Sequence, residues 1–380
     1  MKKKTKQIAG LLTLLIPLLL WLFLPHYLKN ALIHQLPGID DHKIFNNRVV
    51  TKSSHPEPWP FSVKYNKKHL QKELLDSLAV LKTTAFIAIQ NDSLIYEYYA
   101  DATDTTQRTN SFSMAKSIIS LLIGCAIDDG YINSVDQSIE SLLPEFTRLH
   151  GHGLTLRHLL TMSSASDWNE TYSSPFSVTT QAYYGDNLTE LMQGIKIAST
   201  PGQTFSYRSG DTQLLAFILK TTTGLPPAQY AAIKLWQPLG AESDALWSLD
   251  HKNGMEKAYC CFNSNARDFA RIGQLALNHG NWKGRQVIDS AYIAAATHPA
   301  TYLKDKQNNT VNYYGYQWWI VQIDGESIPY ARGILGQYIF IIPSKNAVIV
   351  RLGHQRSDIK TGVHPQDVFT WLKAGLSVID

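Results

Sequence analysis

Apolar and polar positions divide this chain into segments of different texture. Ile8 to Pro25 is a run of eighteen residues with no charge and only Thr13 as a clearly polar side chain, preceded by Lys2, Lys3, Lys4 and Lys6. Residues 26 to about 60 mix Pro, His, Asn and Ser and read as an irregular lead-in. The apolar runs Ala85–Ile89 and Leu94–Tyr99 flank Gln90-Asn91-Asp92-Ser93 and predict a β-hairpin. Residues 113 to 127 are apolar on every face and stop at Asp128-Asp129-Gly130, the pattern of a buried helix with a glycine terminator. From about 135 to 310 the pattern is mostly helical with loops, with helices expected over Leu154–Met162, Leu214–Thr222 and Ala266–Asn278. Strand texture returns at Gly315–Val321, Gly336–Ile342 and Ala347–Leu352, and a closing helix spans Gln366–Val378. Two strands, helices, three strands and a helix predict an α+β sandwich, with one antiparallel sheet assembled from both ends of a domain around a helix-rich insert.

The domain organisation follows as a basic tail (1–7), a membrane anchor (8–25), a lead-in (26–75) and one domain (76–380) with its insert at about 135–310. At about 1.5 Å per residue the apolar run is just long enough to cross a bilayer core, and the lysines before it would hold that end in the cytoplasm. The catalytic mass would then lie outside the cytoplasmic membrane. A cleavable signal peptide, the alternative, would show a small-x-small site soon after the run, where His26-Tyr27-Leu28-Lys29-Asn30-Ala31 stands instead.

Composition narrows the picture further. The 380 residues are 44% hydrophobic and 17% charged, the profile of a folded chain with a large core. The net charge of +4 is matched by the four lysines of the tail, so beyond them the chain is near neutral and lacks the basic stripe that nucleic-acid binding requires. The three cysteines are too few for a disulfide framework; Cys125 sits in an apolar run, Cys260 and Cys261 are adjacent, and all three are expected as buried thiols. The thirteen histidines show no metal-ligand spacing, so neither a metal nor another cofactor is expected. A Gly-x-Ser-x-Gly elbow is also missing, against an α/β-hydrolase.

Candidate chemistry gathers at Ser113-Met114-Ala115-Lys116, where the buried helix begins. Ser-x-x-Lys puts the ammonium one turn beyond the hydroxyl on the same face, and the helix N-terminus adds a second positive influence on that oxygen. A second copy, Ser357-Asp358-Ile359-Lys360, lies in a polar link with no buried helix behind it and is read as accidental. A proton relay is still needed, and a tyrosine whose pKa is lowered by nearby cations is a candidate. Of Tyr131-Ile132-Asn133, Tyr172-Ser173-Ser174 and Tyr207-Arg208-Ser209, the last follows Pro201-Gly202 in a turn that feeds a helix.

Ser113-Met114-Ala115-Lys116, Thr155-Leu156-Arg157-His158-Leu159-Leu160-Thr161-Met162-Ser163-Ser164 and Pro-Gly-x-x-Phe-x-Tyr-x-Ser at 201–209 together resemble the penicillin-recognising serine hydrolases, nearest to class C β-lactamase-like esterases and amidases. The resemblance covers residues 80–378 and implies a β-lactamase/transpeptidase-like fold. It makes Ser113 the nucleophile, Lys116 its activating partner and Tyr207 the general base and later acid. The family's Lys-Thr-Gly occurs as Lys360-Thr361-Gly362, but between the last strand and the last helix; the positional match is Ala331-Arg332-Gly333. There Gly333 would allow close approach to substrate, the amide of Ile334 would join that of Ser113 in an oxyanion hole, and Arg332 would contact an anion. Trp168 is expected in a loop bordering the cleft. Loss of the motif's lysine and threonine favours a small amide or ester substrate. A D-alanyl-D-alanine carboxypeptidase or β-lactamase is the alternative within the enzyme class, and a catalytically idle cell-envelope binding protein is the alternative outside it.

Overall fold

The computed structural model describes residues 21–100 and 103–380. Six strands form the main sheet: β1 (Thr83–Gln90), β2 (Ser93–Tyr99), β3 (Trp319–Ile323), β4 (Glu326–Gly333), β5 (Gln337–Ile342) and β6 (Ala347–Gly353). Their order is β2-β1-β6-β5-β4-β3, every pair antiparallel, so the N-terminal hairpin docks on the last strand of the C-terminal meander. This is the sheet expected from the two ends of the domain.

The strands are apolar almost without interruption because both faces are covered. On β5 and β6, Ile339, Ile341, Val348 and Val350 turn to one core, and Tyr338, Phe340, Ile342, Ala347 and Ile349 turn to the other. The first core is closed by the helices Ala115–Asp128 and Ala266–Leu277, and the second by Lys72–Val80 and Asp367–Val378. Gly273 sets the depth of the first contact, since a Cβ there would lie 2.6 Å from Val348 and 2.7 Å from Ile339. Each large aliphatic side chain buried in these layers contributes about 1.5–3 kcal/mol.

Several boundaries differ from the sequence reading. The lead-in is ordered: it holds a helix, His26–His34, and a strand, Asn47–Val50. That strand joins a second sheet with Ala245–Ser248, Phe262–Ser264 and Thr109–Asn110, so the helix-rich insert also contributes two short strands. Strands of two to four residues, two of whose three pairings join positions more than 150 apart, leave no periodicity to read. The strand expected at Gly315 begins at Trp319, because Gln317 adopts φ 65° and Gly315 is pressed against the Ala296 carbonyl, where a Cβ would lie 2.3 Å away. The adjacent β4 was not foreseen as a strand; Pro329, Glu326 and Arg332 break its apolar texture. Lys360 and Thr361 are exposed in a separate two-stranded hairpin with His364–Pro365, off the main sheet. No helix among the described residues is long and apolar enough to cross a membrane. The anchor expected over 8–25 lies outside them up to Leu20.

Candidate active site

Ser113 sits in a single 3-10 turn, Phe112–Met114, that runs directly into the buried helix Ala115–Asp128. The turn is sharp: Phe112 has φ 45°, a conformation that non-glycine residues keep only when their surroundings enforce it. Here they do. Asn110 Oδ1 accepts from the amides of Phe112 (2.9 Å) and Cys261 (3.1 Å), and the Ser111 amide donates to the Phe262 carbonyl at 2.8 Å. The Ser113 turn is thus fastened to residues 261–262 of the insert.

One turn on, Lys116 is 1% exposed. Its Nζ donates to Ser113 Oγ at 3.2 Å, Ser209 Oγ at 3.1 Å and the Tyr259 carbonyl at 2.8 Å. Desolvation lowers its pKa to about 8, opposed only in part by the charges of Glu170 and Asp211. A lysine with that pKa is partly neutral near pH 7.5, and a neutral amine at 3.2 Å can take the serine proton.

Tyr207 precedes the helix Ser209–Thr223, and its ring packs against Trp319 (5.3 Å between centroids) and edge-on to Tyr314 (6.0 Å). Ser113 is among the groups its phenol feels, and Lys116 Nζ lies 5.2 Å from its ring centroid. The expectation of a lowered phenol pKa is corrected here: burial raises it well above the ordinary value, and Ser113 together with the charges of Arg332 and Arg356 offsets only part of that. In the free protein Tyr207 is therefore a neutral phenol, suited to donating a proton, while Lys116 is the stronger candidate for the first base.

Ile334 and Ser113 both line one cavity of about 420 Å³. Among the described residues no backbone carbonyl accepts from the Ser113 amide, whereas the Phe112 and Met114 amides are bonded within the turn. Gly333 has a structural part rather than a place in the cavity wall. A Cβ on it would lie 2.2 Å from the Ser111 carbonyl, so only glycine lets the end of β4 abut the turn that carries Ser113. Arg351, a buried cation in mid-strand, fixes the next residues by donating to the carbonyls of Leu335 (3.0 Å) and Gly336 (2.7 Å).

Two further expectations change. Arg332 stacks over Trp319, 3.3 Å from the ring centroid, and donates to the Val363 carbonyl at 3.1 Å, so its guanidinium is engaged outside the cavity. Trp168 is 4% exposed and lies behind the site: a Cβ on Gly210 would sit 2.6 Å from its ring, and its Nε1 donates to Glu170 Oε2 at 2.7 Å.

The sequence reading gave Glu170 no role, yet its carboxylate is where the site's supports meet. It accepts from Trp168 Nε1, from the Ser209 amide and hydroxyl (both 2.6 Å) and from Tyr172 OH. With Lys116 donating to the same Ser209 hydroxyl, a hydrogen-bonded chain runs from Ser113 through Lys116 and Ser209 to Glu170. Tyr172, set aside in favour of Tyr207, also lines the cavity, as do Tyr259, Cys260 and Arg356. Cys260 and Cys261 are not free thiols: they are joined in a vicinal disulfide. A local signal existed for Glu170, since Trp168, Glu170 and Tyr172 fall at alternate positions of one loop.

The family model described as Beta-lactamase matches residues 74–364. The curated 6-aminohexanoate-dimer hydrolase of Paenarthrobacter ureafaciens is 27% identical over 286 residues, 71% of this chain and 72% of that relative. A solved structure from Bacillus anthracis, provisionally named a 6-aminohexanoate-dimer hydrolase, has a TM-score of 0.77 at 21% identity and covers 93% of this chain and 94% of its own. The D-stereospecific amidohydrolase from Streptomyces sp. has a TM-score of 0.58 at 15% identity, covering 80% of this chain and 96% of its own. At those identities the two structures speak to the fold. With a family match over most of its length, the chain belongs to the Beta-lactamase family and is a hydrolase of that family.

Proposed function

We propose that this protein cleaves a small-molecule amide or ester through an acyl-enzyme on Ser113. The observation that carries the reading is the buried, desolvated Lys116 at 3.2 Å from Ser113 Oγ. Neutral Lys116 takes the serine proton as Oγ attacks the carbonyl carbon, and the amides of Ser113 and Ile334 hold the resulting oxyanion. As the bond to the leaving nitrogen or oxygen breaks, Tyr207 gives that atom its proton and is replenished by the proton on Lys116. Water then attacks the acyl carbon, loses its proton to the same pair, and the serine is released with its proton restored. Glu170 and Ser209 hold Lys116 in line throughout.

The amidohydrolase and 6-aminohexanoate-dimer hydrolase names of its relatives support an amide or ester in preference to a β-lactam. The exposed position of Lys360 and Thr361 supports the same choice. The charge pattern of the first 25 residues further supports an uncleaved anchor with the catalytic domain outside the cytoplasmic membrane; protease accessibility in intact and opened spheroplasts tests that placement.

For the chemistry, full-length protein in detergent is assayed with p-nitrophenyl butyrate, followed by intact mass measurement after rapid acid quench. The expected result is Ser113-dependent turnover with a butyryl adduct on Ser113. Equal turnover by Ser113→Ala overturns the assignment, and a lasting penicillin adduct in place of ester turnover would favour the carboxypeptidase alternative.

A further inference from the structure

The first elements of the described chain carry an apolar face that the fold leaves uncovered. On the helix His26–His34, Leu28 is buried and Tyr27 and Ala31 pack against the core, whereas Leu32 and Ile33 are exposed. Phe23, before the helix, is 85% exposed, and Leu36, after it, is 84% exposed. On a second segment Tyr172 and Pro175 are exposed, and Phe176 beside them is 75% exposed. Leu36, Tyr172 and Pro175 also line the cavity that holds Ser113, so the uncovered residues form its rim. The two segments are joined: Asn30 Nδ2 donates to the Tyr184 carbonyl at 3.0 Å, and Tyr184 OH donates to the Gln35 carbonyl at 3.2 Å.

The chain that leads into this face indicates what covers it. The uncharged run Ile8 to Pro25 ends immediately before the helix. At about 1.5 Å per residue the helix spans about 13 Å, and two further residues add at most about 7 Å, so the rim stands within about 20 Å of the end of the run. A bilayer that holds the run therefore lies within reach of the rim. Charge points the same way. The first acidic side chain of the sequence is Asp40, after five lysines and two histidines, and residues 171–184 carry no charge at all. An apolar face flanked by basic groups settles at the boundary between head groups and acyl chains, about 5–10 Å deep.

We infer that Phe23, Leu32, Ile33, Leu36 and Phe176 rest on the bilayer, that the cavity opens onto it, and that the preferred substrates are membrane-dissolved amphiphiles with an aliphatic acyl chain at the scissile ester or amide. This rests on the acyl-enzyme and anchor readings above and goes beyond them by naming the substrate class and the phase from which it enters. Hydrolysis breaks the bond from the acyl carbon to oxygen or nitrogen, adds the elements of water, and releases a carboxylic acid with an alcohol or an amine.

The test uses the full-length protein in vesicles of phosphatidylethanolamine and phosphatidylglycerol. Cys125 is buried and Cys260 is bonded to Cys261, so a fluorophore attaches only to a newly introduced cysteine. Fluorophores at Leu36→Cys and Phe176→Cys should be quenched by a lipid bearing a nitroxide near its head group. One at Ile233→Cys should not, because Ile233 borders a hollow with Asp128 and Asp129 at the far end of the buried helix, about 20 Å from Ser113. Leu32→Glu/Ile33→Glu, outside the cavity wall, should lower kcat/KM for p-nitrophenyl palmitate dissolved in the vesicles at least about tenfold and leave p-nitrophenyl butyrate turnover unchanged. Equal quenching at residues 36 and 233, or glutamates that lower both esters alike or neither, would overturn the bilayer contact while the acyl-enzyme stands. Cross-linking of Leu36→Cys between two copies in place of lipid quenching would overturn it as well, in favour of a contact between copies of this chain. Release of the protein from floated vesicles would overturn the anchor and this inference together. Quenching at residues 36 and 176 without hydrolysis of either ester would support the contact and overturn the acyl-enzyme.

Discussion

If Lys116 is the base that activates Ser113, the acylation rate must follow its neutral fraction. With a pKa of about 8, roughly half of Lys116 is neutral at pH 8 and about 1% at pH 6, so acylation should fall about fiftyfold between those values with a slope near one. Glu170 provides the perturbation. The bonds Lys116–Ser209 (3.1 Å) and Ser209–Glu170 (2.6 Å) place the two charges within about 6 Å, where opposite charges interact by about 2–3 kcal/mol at an effective dielectric of about 20. Glu170→Gln removes that attraction and should move the limb down by about one to two pH units. At pH 6 the neutral fraction of Lys116 then rises about tenfold for a shift of one unit and about fiftyfold for two, and the acylation rate rises by a smaller factor because the plateau drops with the weaker base. Glutamine suits the site: its oxygen can accept from Trp168 Nε1 and the Ser209 amide, and its NH2 can donate to the Ser209 and Tyr172 hydroxyls, which also accept. The assay is stopped-flow release of p-nitrophenol in single turnovers from pH 5.5 to 9.5. Asp211 needs its own control, since burial raises its pKa to about 7 and its charge also reaches Lys116. A wild-type midpoint near 10, a limb unmoved by Glu170→Gln, or a limb abolished by Asp211→Asn would each refute Lys116 as the titrating base.

The same lysine should cost stability. Its pKa is lowered on folding, so the unfolded chain binds more protons between about pH 8 and 10.5 and wild-type stability rises with pH across that window. Lys116→Met should therefore be inactive yet more stable, by up to about 3 kcal/mol at pH 6 and by little at pH 10.5, as chemical denaturation at the two pH values would show. Gly333→Ala should lower kcat at least about tenfold, by displacing the Ile334 and Ser113 amides from each other, with far-UV circular dichroism unchanged. Gly210→Ala drives a methyl into the Trp168 ring and should lower Tm by several degrees and weaken acylation, through loss of the Glu170 support. Reducing Cys260–Cys261 with a dithiol should slow acylation, because Tyr259, whose carbonyl holds Lys116, directly precedes the disulfide; alkylation mapped by mass spectrometry correlates the two.

Much of the machinery was legible because it is local. Ser113 and Lys116 share a helical face at a spacing of three, and the glycine-terminated apolar run announced the burial that depresses the lysine. Tyr207 and Ser209 came as one short string. The remainder is formed by contacts distant in sequence. Glu170 gains its part by meeting Ser209 across thirty-nine positions, and Arg351 reads as one charge in a strand until its carbonyl partners at 335 and 336 are known. The direction of the Tyr207 shift was misread for a related reason: cations near a phenol can be guessed from sequence, but the desolvation that outweighs them belongs to the packed fold. Arg332 likewise does not take the anion contact a linear reading suggests, because Trp319 captures its guanidinium.

The cavity wall has a divided origin. Ala31, Gln35, Leu36 and Pro37 line the cavity with Ser113, yet all four precede the family-matched span that begins at residue 74. They are fastened in place by the Asn110 amide on the Ile39 carbonyl, by Tyr183 OH on Asp41 (2.6 Å) and by Tyr184 OH on the Gln35 carbonyl. Ser113, Lys116 and Glu170 and part of the cavity wall thus sit on separable stretches of polypeptide. Residues 31–37 can be exchanged to retune the pocket without altering a hydrogen bond of Ser113, Lys116 or Glu170, whereas a soluble version trimmed at the start of the matched span would keep its nucleophile and lose one side of the chamber around it.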